Sequence, residues 1–225
     1  MQPRFVGRLG VADAVTTANA ALGFLAVVTA PSNPRLAARI VLVAAIADGL
    51  DGVVARRLGS TPAGKHLDSL ADVASFGVAP ACIVVAATGN TWQAGAPVGI
   101  GALVVGAGFV ASAVVRLGLY TAYDTGHEHT EGVQTTLAAT LLAAGVLAGV
   151  EQPTVIVGAA GVLAVLMVST IEYPDLLVRD ALAMGVVQAG AVVAPAALAG
   201  AFPKALLGWA GAYLVFAPRF YWRAA

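Results

Sequence analysis

Apolar residues fill this chain in long runs, broken by short links that are polar or rich in glycine and proline. Eight runs stand out, at approximately 11–30, 35–57, 66–88, 95–119, 132–150, 153–172, 179–200 and 203–218. The links include "PSNP" at 31–34, "GNTWQAG" at 89–95, "YDTGHEHTEG" at 123–132 and "EYPDL" at 172–176. A helix needs roughly 20 residues to cross the hydrocarbon of a bilayer. Inside lipid every backbone N–H and C=O must pair within the segment or a closed barrel, so runs of this length predict helices. The pattern therefore predicts an all-α integral membrane protein of about eight transmembrane helices, one transmembrane domain over 1–225. Arg4 and Arg8 precede the first run as in a signal peptide, but no clear small-residue cleavage site follows, so it is read as a retained first helix.

Composition agrees. The chain is 59% hydrophobic and 11% charged, where a soluble domain carries about 25% charged residues. Twelve basic and twelve acidic residues balance, and no basic patch or aromatic ladder points to nucleic acid. A single cysteine, Cys82, excludes an internal disulfide and a cysteine metal cluster, and reads as a small packing residue. Small residues recur four apart, as in "GALVVGAGFVASA", a spacing that lets helices approach closely in lipid. Trp92, Trp209 and Trp222 are read as lying near the membrane interfaces, and Tyr173 with them as part of an aromatic belt.

Eight spans return the chain to the side on which it starts. With the N-terminus inside, Arg4, Arg8, Arg56, Arg57, Lys65, Arg116, Arg179, Arg219 and Arg223 lie at the cytoplasmic face, and only Arg35, Arg39 and Lys204 at the other. That asymmetry favours a cytoplasmic-membrane protein with both termini inside.

The chemistry concentrates in "ADGLDGVVARRLGSTPAGKHLDSLAD", Ala47 to Asp72. Asp48 and Asp51 are three apart, and Asp68 and Asp72 four apart, so each pair shares a helix face. The link between the two helices is short, which makes them antiparallel neighbours, and the two pairs can meet across one cleft near the cytoplasmic surface. Carboxylates crowded there repel one another, and a divalent cation relieves the repulsion. Hard oxygen donors suit Mg²⁺, Mn²⁺ or Ca²⁺. Four acids have the capacity for one or two ions, and two ions can bridge a phosphate during in-line displacement. Gly52 removes a side chain beside Asp51, Ala55 keeps the surface low one turn on, Arg56 offers a cation to a phosphate, and Gly64 opens the next helix.

Other polar residues point less sharply. Arg116 ends the fourth run and suits either an interfacial anchor or a contact to an acceptor carboxylate or a phosphate. His127 and His129 in "HEHTE" lack a third ligand and read as a solvated loop with Glu128 and Glu131. His66 reads as an interfacial residue.

The acidic stretch resembles the signature of the CDP-alcohol phosphotransferase family, D-x-x-D-G-x-x-A-R, about eight residues, then G-x-x-x-D-x-x-x-D. It stands here as "DGLDGVVAR", "RLGSTPA" and "GKHLDSLAD", with a gap of seven. "LDSLADVASFGVAPA" at 67–81, "DAVTTANAALGFLAV" at 13–27 and "LMVSTIEYP" at 166–174 resemble the phosphatidylserine and archaetidylserine synthase branch. The resemblance covers roughly 10–175, a six-helix core, and leaves two additional helices over 179–218.

The resemblance implies transfer of a phosphatidyl or archaetidyl group from CDP-diacylglycerol or CDP-archaeol to the hydroxyl of L-serine, with release of CMP. It implies Mg²⁺ or Mn²⁺, held by Asp48, Asp51, Asp68 and Asp72, with Ca²⁺ as an inhibitory occupant. Asp72 would also be the general base. Ala12, Asp13, Ala14, Val15, Gly52, Ala55, Arg56, Thr61 and Gly64 would line the nucleotide site, and Arg116 would meet the acceptor. A homodimer in the bilayer is implied as well. Two rival readings fit the same residues. One is the same chemistry with glycerol 3-phosphate or an inositol phosphate, which would call on further cations such as Arg179. The other is a cation or proton transporter, because intramembrane acids often mark ion paths.

Overall fold

Pro34 sits at the first turn of a helix whose cap is Asn33, its side chain accepting from the Leu36 N–H at 3.0 Å. Proline has no N–H to lose there, and asparagine satisfies an orphan donor. Similar local signals start helices at Pro97 and Pro153. In the computed structural model, residues 7–59, 61–89, 91–124 and 129–221 are described, without the side chains of Arg56, Leu58 and Asp124. Arg4, His127, Glu128, Trp222 and Arg223 lie outside the described residues.

The helices are α1 (Val11–Thr29), α2 (Pro34–Leu58), α3 (Gly64–Asp72), α4 (Ala79–Ala86), α5 (Pro97–Leu119), α6 (Thr135–Leu147), α7 (Pro153–Met167), α8 (Val178–Val193) and α9 (Ala201–Phe220). A π-helical segment, Val73–Val78, joins α3 to α4, so Gly64–Ala86 is one continuous helix, the third run. Pro80 lies just beyond that segment and cannot donate to the carbonyl one turn back, a known cause of a widened turn. Among the described residues the long helices thus follow the hydropathy runs in order. Four of them, Val11–Thr29, Gly64–Ala86, Pro97–Tyr123 and Ala197–Phe220, are long and apolar enough to cross a membrane. α6, α7 and α8 are shorter, at 13, 15 and 16 residues, and α2 carries charges at both ends.

α1 packs along α2, α5 along α7, and α6 against both α2 and α9. α8 fits between α2 and α9. The shared core holds Leu42, Phe76, Ile83, Phe109, Met167 and Leu206. α1 buries Ala12, Asp13, Thr16, Asn19, Gly23 and Ala26, a three-and-four spacing that marks one face. Gly23 permits its close approach: a Cβ there would lie 2.7 Å from Ser75 Oγ and 2.8 Å from the backbone at Ala74.

Two links depart from the sequence expectation. His129–Glu131 forms strand β1 and Glu172–Pro174 strand β2, paired antiparallel with Thr130 opposite Tyr173. Three residues are too few to show a period of two, and their partners lie some forty positions away, so the hydropathy pattern could not reveal them. Tyr173 is correspondingly not part of an interfacial belt. It is 2% exposed and donates to the Leu214 carbonyl at 3.2 Å. Tyr213 donates to the Pro174 carbonyl, and Tyr221 donates to Asp180 while accepting from the Leu177 N–H. Burial and the Asp180 hydrogen bond raise the Tyr221 phenol above its ordinary range, so it remains a neutral donor. Tyr173 and Tyr213 fasten β2, and through it β1, to the last helix, and Tyr221 ties that helix's end to the start of α8.

Candidate active site

The α2–α3 turn decides where the acids go. Gly59 caps α2 at φ +91°, a left-handed conformation natural to glycine, and reverses the chain after a single short link. Thr61 then donates to Asp13 Oδ2 at 2.8 Å, and the Gly10 N–H donates to the same oxygen at 2.7 Å. A Cβ at Gly64 would lie 3.3 Å from Asp13 Oδ1. Asp13, Thr61 and Gly64, far apart in sequence, therefore meet at the mouth of α1. Ala12 is buried beside them, Val15 is half-buried, and Ala14 is exposed. Gly52 and Ala55 are half-buried on α2. Arg56 lies on the same helix, with its side chain outside the described part.

Beneath this mouth, Asp48 of α2 and Asp68 and Asp72 of α3 each turn one oxygen inward, and these oxygens all lie within 4.8 Å of one another. The spacing of three and four along antiparallel helices brings the two faces together as helical geometry requires. Asp72 is 7% exposed, and its Oδ1 is buried with no hydrogen-bond partner among the described residues. A buried carboxylate with one orphaned oxygen, grouped with two further carboxylates, fits a divalent cation, which would supply a partner and offset the charge. Asp51 stands slightly apart. It is 6% exposed, and its Oδ2 accepts from Thr16 Oγ1 of α1 at 2.6 Å. It remains near enough to repel the other three carboxylates. Thr136 of α6 makes a longer contact, 3.5 Å, to Asp48 Oδ2.

Arg116 of α5 is 7% exposed, not an anchor at the water interface. Its guanidinium is close enough to attract Asp72, lies 5.4 Å from the centre of the Tyr120 ring, and donates to Thr130 Oγ1 at 3.3 Å. Ser69 Oγ and Thr121 Oγ1, 2.5 Å apart, tie α3 to the π-helical segment (Tyr120–Asp124) that follows α5. His66 and His129 are exposed, and Arg179 is exposed and paired with Asp180 at 3.3 Å.

Sequence reasoning did not single out Thr16, Thr136, Thr130, Ser69 or Thr121. Thr16 carried a usable signal, since it shares the Asp13 face of an apolar helix where a buried hydroxyl needs a partner. Thr130 carried none, because its role depends on the β1–β2 pairing.

Residues 9–172 match the family model described as CDP-alcohol phosphatidyltransferase. Archaetidylserine synthase from Methanothermobacter thermautotrophicus is 31% identical over 170 residues, covering 74% of this chain and 70% of that protein. CDP-diacylglycerol–serine O-phosphatidyltransferase from Mycobacterium leprae is 47% identical over 64 residues, 28% of this chain and 21% of that protein. The Saccharomyces cerevisiae protein of the same name is 42% identical over 87 residues, 35% of this chain and 32% of that protein.

Proposed function

The chain belongs to the CDP-alcohol phosphatidyltransferase family and is a transferase of that type, and from this premise we propose that it moves the phosphatidyl or archaetidyl group of a CDP-linked lipid onto the hydroxyl of L-serine. The serine oxygen attacks the phosphorus that bears the lipid, a new P–O bond forms, and the P–O bond to CMP breaks. Asp72 takes the hydroxyl proton, and CMP leaves with the electron pair of the broken bond. The observation that carries this reading is the convergence of Asp48, Asp68 and Asp72, one oxygen each within 4.8 Å of the others, with Asp72 buried and its Oδ1 without a hydrogen-bond partner among the described residues. A positioned carboxylate base contributes about 10²–10⁴-fold to such a proton transfer.

Asp48, Asp68 and Asp72, with Asp51 beside them, would hold Mg²⁺ or Mn²⁺, which when bound neutralises charge on the diphosphate. The protein's own groups do the rest. Thr16 orients Asp51, and Asp13 with Thr61 holds the link over the nucleotide side of the cleft. Arg116 offers a cation to the serine carboxylate while Thr130 steadies it. A phosphorylated acceptor would need more positive charge, and Arg179, its other candidate, turns to Asp180. The names of the relatives support serine as acceptor and both lipid types as donor. The charge asymmetry supports a cleft facing the cytoplasm with both termini inside, and the family resemblance supports a homodimer. The test is release of CMP by purified protein given a CDP-lipid and a metal ion, compared across serine, glycerol 3-phosphate and an inositol phosphate. Serine should be the productive acceptor, and CMP release with a phosphorylated alcohol in preference to serine would reassign it.

A further inference from the structure

The three cations that the charge pattern sets on the face away from the acids are Arg35, Arg39 and Lys204. They are separated by up to 169 positions, yet all three line one cavity of about 530 Å³. Its walls come from the start of α2, the link after α6 and the α8–α9 connection. Arg39 is nine residues from Asp48 along α2, about 14 Å at roughly 1.5 Å per residue, and Arg35 is further still. The cavity is therefore a separate feature at the opposite end of the same helix.

Its electrostatics are one-sided. Glu151 pairs with Arg35 at 3.2 Å and offsets one of the three charges. Arg39 gives its Nε to the Val192 carbonyl at 2.7 Å, which holds the half-buried side chain at the cavity wall. Lys204 donates to the Ala199 carbonyl at 2.8 Å. Leu198 and Ala199, at φ 51° and 56°, hold left-handed backbone that side chains avoid, and Gly200 continues it at φ 77°. Strain of that kind persists only where the surroundings fix it. It fixes the Ala199 carbonyl, and with it the Lys204 ammonium, among the groups that line the cavity. The chain thus gathers on one cavity every cation that the positive-inside pattern disfavours on that face.

We infer that this cavity binds a phosphate group, and that its position beside the end of membrane helices makes an anionic lipid headgroup the source. Phosphate oxygens match a guanidinium and an ammonium presented together. The proposal stands apart from the transferase chemistry, so its test does not read CMP.

Full-length protein in detergent is titrated with phosphatidylglycerol, with phosphatidylcholine and with inorganic phosphate, and bound ligand is counted by native mass spectrometry. The wild type should retain phosphatidylglycerol over phosphatidylcholine. Arg39→Gln with Lys204→Gln should weaken that retention at least about tenfold, as expected for loss of charge-assisted hydrogen bonds. Arg39→Lys should keep most of it. Lys204→Gln alone, an exposed substitution, should weaken it without lowering the thermal midpoint. Inorganic phosphate bound as tightly, and lost in the same variants, would make a soluble anion the source. No preference for either phosphate ligand, or a preference that survives in the double variant, would overturn the proposal.

Discussion

Thr16 of α1 donates its hydroxyl proton to Asp51 of α2 across 2.6 Å, and both residues are buried. The contact joins the first helix to the acidic motif and leaves Asp51 with a fixed orientation. The same hydroxyl has the Ala12 carbonyl within 3.1 Å as its other acceptor.

Removing that hydroxyl leaves a buried carboxylate one partner short. Hydrogen bonds to charged groups contribute about 1.5–3 kcal/mol. Thr16→Val should lower thermal stability and raise the Mn²⁺ concentration needed for half-maximal CMP release several-fold. Thr16→Ser should restore both. An unchanged metal requirement in the valine variant would show that Asp51 does not depend on Thr16.

Asp72 is assigned the proton transfer. Asp72→Asn keeps the shape of the group and removes its basicity, so CMP release should fall by about 10²–10⁴-fold. Binding of CDP-lipid, followed by displacement of a labelled nucleotide, should change little by comparison. Turnover near the wild-type rate in this variant would assign the base elsewhere.

Metal removal should silence the enzyme reversibly. Three carboxylates within 4.8 Å present too much negative charge for a diphosphate to approach unaided. A chelator should abolish CMP release, Mg²⁺ or Mn²⁺ should restore it, and Ca²⁺ should compete without supporting turnover. Undiminished release in excess chelator would remove the ion from the reaction.

Arg116 leans on Thr130 at 3.3 Å, and Thr130 sits on β1, whose partner strand β2 is fastened to α9 through Tyr173 and Tyr213. Thr130→Val should raise the KM for serine several-fold while leaving the KM for the CDP-lipid nearly unchanged. Thr130→Ser should behave as wild type. A loss spread equally over both substrates would point to general disruption of the fold.

Gly132 and Gly149 separate conformational strain from collision. Both have positive φ, at 75° and 91°, but a Cβ on Gly132 would run into the Met167 carbonyl, whereas one on Gly149 meets nothing within 4 Å. Each alanine substitution costs about 1–2 kcal/mol for left-handed backbone. Gly132→Ala should therefore lower the thermal midpoint clearly more than Gly149→Ala. Equal losses would mean that the turn before α6 moves aside.

The all-α character and the order of the long helices were legible because the signals are local. A run of apolar residues, a proline at a first turn and a glycine at a cap act within a few positions, and lipid leaves such runs few alternatives to a helix. The pairing of Asp48 with Asp51 and of Asp68 with Asp72 was legible for the same reason. The spread of the acids into a group of three, with Asp51 held aside by Thr16, was not.

What the chain's sequence determined by itself is thus the set of helices, the faces on which acids and glycines lie, and the family to which they point, since helical periodicity places residues three and four apart without reference to the rest of the molecule. Tertiary structure alone decided which hydroxyls stand opposite Asp48 and Asp51, that β1 pairs with β2 and carries Thr130 to Arg116, and that Arg35, Arg39 and Lys204 share a cavity. Those relationships join residues separated by 14 to 169 positions, and they are set by how whole helices pack, which no local pattern encodes.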